Sequence, residues 1–266
     1  MSERKFKSKI VPYQNEFKRL KRLKGIADIL LYSAGIISIV VPIIERYEIE
    51  FPTIFELIKI INFIIIVAYY ILDVVIEVFI NPSVSEYRRL NFIDNSLGTK
   101  FLGNRSQHYF DNDEVKDGMY KVLVNGFENC FFTYSLAKAQ RPSMVLKNSI
   151  FGLIFLIVAY FGLIQNSIGL PIIQIFLSSL FLTELIHHLN FTDRLKSLLK
   201  NYKEVFTELE KMPYKRLEVA NPLKLSLEYE TLLAYNKSGL DDKIYEKKKV
   251  QLTKEWEEMK KFYNIS

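Results

Sequence analysis

Residues 148–189 read NSIFGLIFLIVAYFGLIQNSIGLPIIQIFLSSLFLTELIHHL, and no charged side chain occurs between Lys147 and Glu184. A bilayer core about 30 Å thick is crossed by about 20 apolar helical residues, so this segment is long enough for two short spans. Residues that favour turns interrupt it midway, namely Asn166, Ser167, Gly169 and Pro171. The segment therefore predicts two transmembrane helices, 148–164 and 168–189, joined by a tight turn.

A second apolar segment, residues 26–80, has the same organisation. Its first part, 26–44, contains one charged residue, Asp28, and its second part, 55–80, has charged residues near both ends. Hydrophobic residues make up 49 % of the chain, an ordinary value for a globular protein, so their segregation and not their number indicates a membrane. The sequence predicts an all-α integral membrane protein with four transmembrane helices in two hairpins plus a helical cytoplasmic subdomain.

Basic residues set the predicted orientation, because Lys and Arg in short flanking loops remain on the cytoplasmic side. Residues 1–25 hold nine of them, whereas the loops inside the two hairpins hold only Arg46. We expect both termini and the middle segment to be cytoplasmic, and the single cysteine, Cys130, agrees with a reducing compartment. The predicted divisions are a basic N-terminal helix (1–25), transmembrane hairpin 1 (26–80), a cytoplasmic insert (81–147), transmembrane hairpin 2 (148–189) and a cytoplasmic helical tail (190–266).

Polar and ionisable side chains follow one face of the second and fourth predicted spans. At 100° per residue each set falls within one stripe, which is Asn62, Tyr69, Asp73 and Glu77 in the second span, and Gln174, Ser178, Glu184 and His188 in the fourth. Charged groups are costly in lipid and are retained mainly where they face protein or water. One interpretation is that the stripes line or gate a cation path. The alternative is that these groups extend to the cytoplasmic interface and form no pore.

The predicted insert contains a near-repeat, Phe92-Ile-Asp94-Asn95 and Tyr109-Phe-Asp111-Asn112. Asp and Asn form local turns and cap helices, which explains both sites without a ligand. The alternative is a sensing loop that contacts a ligand or cation through Asp94, Asn95, His108, Asp111 and Asn112. Apolar residues at helical spacing in 119–134 and 192–211 predict helices that pack on a neighbour.

Motifs for catalysis are absent from the sequence. There is no phosphate-binding glycine loop, nucleophile elbow, zinc-protease motif or kinase signature, so we expect no enzyme, no cofactor and no metal. Glu184-x-x-His187 has the spacing of di-iron bundles, but those sites need two such motifs and the chain has one. The net charge of +6 lies beside the apolar segments, where anionic lipid explains it without nucleic acid. A membrane-bound lipid or nucleotide enzyme would depend on an unpatterned set, Asp94, His108, Asp111 and Asp113.

A helix containing Gln14-Asn15-Glu16 precedes the first predicted span, the insert begins Tyr87-Arg-Arg-Leu-Asn-Phe-Ile-Asp94, and a helical tail follows the fourth span. This layout covers nearly the whole chain and resembles the SMODS-associating four-transmembrane effector family of bacterial anti-phage conflict systems. The resemblance implies a pore-former or membrane disruptor of the bacterial inner membrane. It further implies activation by a cyclic nucleotide that a partner nucleotidyltransferase makes after infection, and it transfers no signal-binding residue.

These observations favour an oligomeric membrane effector, in which the insert and tail hold the transmembrane helices closed until a signal arrives. Two alternatives stay open. One is a non-conducting membrane anchor or scaffold that recruits a cytoplasmic partner, and the other is the membrane-bound enzyme described above.

Overall fold

The computed structural model describes residues 14–44, 52–103, 110, 112–164, 169–211, 219–235 and 240–265. Its helices are α1 (Gln14–Ile44), α2 (Pro52–Val75), α3 (Asn81–Leu97), α4 (Met119–Ile164), α5 (Gly169–Lys211), α6 (Ala220–Tyr235) and α7 (Asp242–Phe262). A π-helical turn, Ile76–Ile80, joins α2 to α3 without a break. No strand occurs within the described ranges, which confirms the predicted all-α class.

The chain divides into two units. The hairpin unit contains Tyr13–Glu86 and Leu146–Thr183, and the globular unit contains Tyr87–Val145 and Glu184–Ser266. Helices α3, α4 and α5 contribute residues to both units. Glu184 and His188, which the sequence assigns to the fourth span, therefore belong to the globular unit.

The core of the globular unit is built from one face of α4 and one face of α5, together with α6 and α7. On α5 the predicted apolar face, from Leu195 to Leu209, is buried except for the half-buried Val205. On α4 the predicted apolar face contributes Leu123, Phe127 and Phe131 to this core; Val122 is also buried, and the ends of the face, Met119 and Tyr134, are half-buried. Trp256 of α7 is fully buried, and its ring lies edge-on to that of Phe127 with 5.3 Å between centroids. Both predicted packing faces are confirmed, and each such buried side chain contributes about 1.5–3 kcal/mol.

The described side chains of the hairpin unit bury little apolar surface. α1 packs against α2 and the π turn around four small or branched side chains, Leu20, Ala27, Ile76 and Val84. Much of the remaining surface of α2 is apolar and exposed, including Phe63, Ile64 and Ile71. Among the described residues one helix, Pro52–Leu97, is long and apolar enough to cross a membrane, and only 6 % of its most apolar window is buried. A core helix of a water-soluble protein is mostly buried, so this surface indicates membrane association.

Three helices continue through predicted boundaries. α1 joins the basic N-terminal segment to the first predicted span, with no turn at Gly25. α4 joins part of the insert to the third span, and α5 joins the fourth span to the tail. α1 and α4 continue past Gly25 and Pro142, two residue types that often end helices, whereas α5 ends at Lys211, two residues before Pro213, as predicted. The side chains of 39, 42–44, 151 and 154–182 lie outside the described set.

Candidate functional site

Asn112 lies at the centre of a buried polar network in the globular unit. Its Nδ2 donates to Asn125 Oδ1 at 2.9 Å and to Glu128 Oε2 at 2.7 Å, and its Oδ1 accepts from Trp256 Nε1 at 3.3 Å. Asn112, Asn125 and Trp256 are all fully buried. A buried amide is tolerated when it is hydrogen-bonded, so these bonds fix the turn before α4 to both α4 and α7.

Asn125 connects the same network to α3. Its Nδ2 donates to Asn95 Oδ1 and to Ser96 Oγ, each at 3.0 Å. The two asparagines of the near-repeat, Asn95 and Asn112, therefore meet at one side chain of α4. The phenylalanines of the two tetrapeptides also contact each other, with ring centroids 6.2 Å apart. The near-repeat thus supplies two matching attachments of the insert to α4.

Asp94 is fully buried, and its carboxylate is used by the loop that follows α3. It accepts hydrogen bonds from Phe101 N at 2.8 Å, Leu102 N at 2.9 Å and Thr99 Oγ1 at 2.7 Å. Gly98 follows the end of α3 with φ of +77° and donates its N–H to Asp94 O. These contacts match the local-turn interpretation of Asp94.

The buried face of α3 within the globular unit is polar. Its buried residues there are Asn91, Asp94, Asn95 and Ser96. Asn91 is 1 % exposed, and neither its Nδ2 nor its Oδ1 has a hydrogen-bond partner. Hydrogen bonds of Asp94, Asn95 and Ser96 therefore hold this part of α3 in place together with the Phe92–Phe110 contact.

An ion pair fixes α3 to α6. Arg88 Nη1 and Nη2 donate to Glu230 Oε1 and Oε2 at 2.9 Å and 2.5 Å, and the two side chains are 24 % and 22 % exposed. A two-bond arginine–carboxylate pair is stronger and more directional than an exposed single contact. One residue earlier, Tyr229 Oη lies 2.8 Å from Thr133 Oγ1. Helix α6 is therefore fixed to both α3 and α4.

A second ion pair fixes α7 to the turn before α4. Lys260 is buried, and its Nζ lies 3.0 Å from Glu114 Oε1 and 2.9 Å from Glu257 Oε1. Burial lowers the pKa of Lys260, but the two carboxylates outweigh burial and leave that pKa above its ordinary value. Burial raises the pKa of Glu114, but its backbone hydrogen bond and Lys260 outweigh burial and leave that pKa below its ordinary value. Both groups are therefore charged at neutral pH.

The predicted polar stripe of the second span includes contacts with α1. Asn62 is buried, and its Nδ2 donates to Ser38 Oγ at 3.0 Å. Tyr69 is half-buried against the apolar cluster that α1 and α2 share, and Asp73 is half-buried. The Asn62–Ser38 bond therefore joins the two helices of the hairpin.

The C-terminal end of this stripe lies at the π turn. Lys24 Nζ lies 3.4 Å from Glu77 Oε1, and Asn81 Nδ2 donates to Glu77 Oε2 at 3.2 Å. π turns within α-helices occur frequently at functional sites. Glu77 therefore joins α1 to the segment in which α2 continues into α3.

The structure describes two side chains of the predicted fourth-span stripe, Glu184 and His188. Both lie in the globular unit. His188 is fully buried, with Nε2 3.0 Å from Ala137 O of α4, and Glu184 is half-buried. The side chains of Gln174 and Ser178 lie outside the described residues. A role of either stripe in lining or gating a pore stays a prediction.

Two of the predicted sensing residues, His108 and Asp111, lie outside the described residues. Asp113, which the enzyme alternative requires, is exposed in the turn before α4. In the part of the chain that the structure describes, no group of three or more His, Cys, Asp or Glu side chains is placed to hold a metal ion.

Sequence analysis did not identify several members of these networks as site residues. Asn125 and Glu128 carry a usable signal, because they are polar residues within the apolar run 122–131 that packs on α5. No sequence signal identifies the pair of Arg88 and Glu230, since 142 residues separate them in the chain. Only the folded chain brings that pair together.

Comparisons with protein-family models, with curated proteins and with solved structures found no match to this chain. The resemblance in layout therefore stays an expectation. The functional proposal below rests on the contacts and surfaces of the chain itself.

Proposed function

We propose that this chain is a bacterial inner-membrane effector that crosses the bilayer four times and forms or gates a pore when its cytoplasmic globular unit receives a signal during antiviral defence. The exposed apolar surface of α2 is the observation on which the proposal rests. α1 has a similar surface, with Ile29 and Ile36 at least 60 % exposed. Leaving apolar area in water costs about 25 cal/mol per Å², so a lipid environment stabilises this unit.

The polar contacts of the hairpin unit support insertion in lipid. Inside a bilayer, polar side chains are tolerated mainly where they pair between helices. Asn62–Ser38 and Lys24–Glu77 are such interhelical pairs, between α1 and the helix that begins as α2. The positions of the pairs are consistent with Lys24 and Glu77 near the cytoplasmic boundary and with Asn62 deeper in the bilayer.

Reporter fusions test the topology. We expect a fusion after Asp111 to report the cytoplasm and a fusion after Asn166 to report the opposite side of the membrane. A fusion after Asp111 that reports the exterior would reverse the orientation, and with it the sensing role of the insert.

Control of the pore is proposed to act through α3. The polar docking of α3, by the Arg88–Glu230 pair and by Asn95, would hold the helices closed, because hydrogen-bonded contacts are broken more readily by a competing ligand than a packed apolar core. The signal that the family resemblance implies is a cyclic nucleotide from a partner nucleotidyltransferase. Its binding residues are not assigned.

Membrane potential tests the pore directly. We expect Arg88→Glu to depolarise bacterial cells on induction, because it replaces the ion pair with Glu230 by a repulsion, and we expect the double variant Arg88→Glu/Glu230→Arg to restore the potential. Lys200→Glu is the matched control, since Lys200 forms an exposed pair with Glu204 and its side chain is 77 % exposed. An unchanged potential with Arg88→Glu present in the membrane contradicts control through this pair.

Substitutions of the ionisable residues in the two stripes distinguish the scaffold alternative from the pore. In the Arg88→Glu background, we expect Asp73→Leu and Glu184→Leu to reduce depolarisation if the stripes conduct ions. A non-conducting scaffold would show no depolarisation in the Arg88→Glu background, and its recruitment of a partner would survive both substitutions. The enzyme alternative has less support, because the Asp94 carboxylate is already bonded to its own loop.

A further inference from the structure

Helix α6 is apolar on two sides. Pro222, Leu225 and Tyr229 are buried in the globular unit. The other side presents an outer stripe with a repeat of four residues, which consists of Val219, Leu223, Leu227, Thr231 and Tyr235. All five are exposed, and the four large apolar members are between 49 % and 77 % exposed. An exposed apolar ridge of this kind marks an interaction surface.

The residues beside the outer stripe favour a helix as the partner. Ala220 and Ala234 are both exposed and lie toward the two ends of the outer stripe, beside Leu223 and Thr231 respectively at helical spacing. Small side chains at such positions let a second helix approach closely. A ridge of residues spaced by four packs against a similar ridge at an interaxial angle of about −50°.

The charges along one edge of the outer stripe are complementary to themselves. Lys224 and Glu228 each follow a leucine of the stripe by one residue, so they lie on the same edge. When two copies of α6 pack antiparallel about a two-fold axis, Lys224 of each copy faces Glu228 of the other. This register places Leu227 within one residue of the axis.

We propose that two copies of this chain associate through the outer stripe of α6, packed antiparallel about a two-fold axis. One helix crossing is smaller than the total buried area of about 1,200 Å² that stable soluble complexes need. Attachment to one membrane raises the effective concentration of the second copy and compensates for the small contact. The proposal therefore rests on the proposed membrane location, and a second copy is the partner that always shares it.

The position of α6 is suited to this contact. The Arg88–Glu230 pair and the Tyr229–Thr133 hydrogen bond hold the helix from its other sides, so the outer stripe is presented by a fixed element. Association consequently requires no rearrangement of the globular unit.

Disulfide cross-linking of the full-length chain in membranes tests the proposal. The single native cysteine, Cys130, is fully buried, so a cysteine introduced by Leu227→Cys is the reactive one. A disulfide needs Cα atoms within about 7 Å, a distance that the antiparallel register provides at position 227. We expect mild oxidation to yield a covalent dimer of Leu227→Cys, well above the amount from Lys200→Cys, whose side chain is 77 % exposed in the native residue.

Charge reversal tests the register. Adding Lys224→Glu to Leu227→Cys places like charges opposite each other, and we expect about a threefold lower dimer yield from two exposed pairs of this kind. Adding Glu228→Lys as well restores the opposite charges, and we expect the original yield. A yield that falls again with the second reversal would overturn the antiparallel register.

The remaining outcomes separate this proposal from the proposed function. If Leu227→Cys forms no more covalent dimer than Lys200→Cys, the proposal is overturned. This holds when the thiol at position 227 reacts with a water-soluble maleimide, as on a solvent-facing surface, and also when lipid shields it from the maleimide. Cross-linking in cells that never depolarise supports the dimer and contradicts the pore. Depolarisation by a chain that does not cross-link supports the pore and contradicts the dimer.

Discussion

Gly126 of α4 lies where the side chain of Tyr202 meets that helix. A Cβ atom added at Gly126 would lie 2.5 Å from Tyr202 Oη and 3.2 Å from its Cζ. Tyr202 is fully buried and its ring stacks on Phe127 with 5.8 Å between centroids, so little room is left for it to move. Overpacking costs about 1–3 kcal/mol and the helix preference for Ala over Gly returns about 1 kcal/mol, so we predict that Gly126→Ala destabilises the globular unit by up to about 2 kcal/mol.

Tyr202→Phe removes the oxygen that causes this clash. The nearest atom to the added Cβ is then Cζ at 3.2 Å, a contact that a shift of a few tenths of an ångström relieves. In the Tyr202→Phe background we expect Gly126→Ala to be neutral or stabilising, which gives a coupling energy between the two positions equal to the relieved overpacking, about 1–3 kcal/mol.

Trp256 provides the assay, because it is the only tryptophan of the chain and is fully buried in the core of the globular unit. Urea titrations of the detergent-solubilised full-length variants, followed by tryptophan fluorescence, report the free energy of unfolding of this unit. An equal loss of stability from Gly126→Ala in both backgrounds would refute the steric reasoning.

Three further predictions concern the globular unit. Asn125→Ala leaves three buried partners without their hydrogen bonds and should cost at least about 3 kcal/mol in the same urea assay, whereas the exposed Asn190→Ala should stay within about 0.5 kcal/mol. Because the pKa of Glu114 is lowered, its stabilising contribution is present above its unfolded-state pKa and is lost as the pH falls through the lowered value. Wild type should therefore exceed Glu114→Gln in urea midpoint at neutral pH and lose that advantage only in strong acid; a constant difference would contradict the pair with Lys260. Burial raises the pKa of the Cys130 thiol, so a maleimide should label native protein far more slowly than urea-unfolded protein, and equal rates would contradict its burial.

Helix class and packing faces could be predicted from the sequence, because they depend on local periodicity. The faces of α4 and α5 repeat apolar residues at helical spacing, and both are buried in the structure. The end of α5 before Pro213 depends on one residue whose ring cannot continue a helix. These features need no information from distant parts of the chain.

The polar network could not be predicted, because it depends on contacts between distant segments. Asn95 and Asn112 were identified from their near-repeat, but their meeting point, Asn125, lies on another helix. The continuity of α1 was also missed, since the change from basic to apolar residues at Gly25 suggested a boundary. A helix that passes from water into lipid keeps all its backbone hydrogen bonds, so the change of surroundings need not end the helix.

Asn91 has a consequence for the evolution of this chain. Its two unsatisfied polar atoms each cost about 1–3 kcal/mol, so a leucine of similar volume at that position should raise the melting temperature of the protein. We therefore expect Asn91→Leu to be more stable than the natural chain in a thermal melt. Natural proteins accept such losses where activity needs an element to move, and the buried polar face of α3 is the place where the proposed control of the pore would require one.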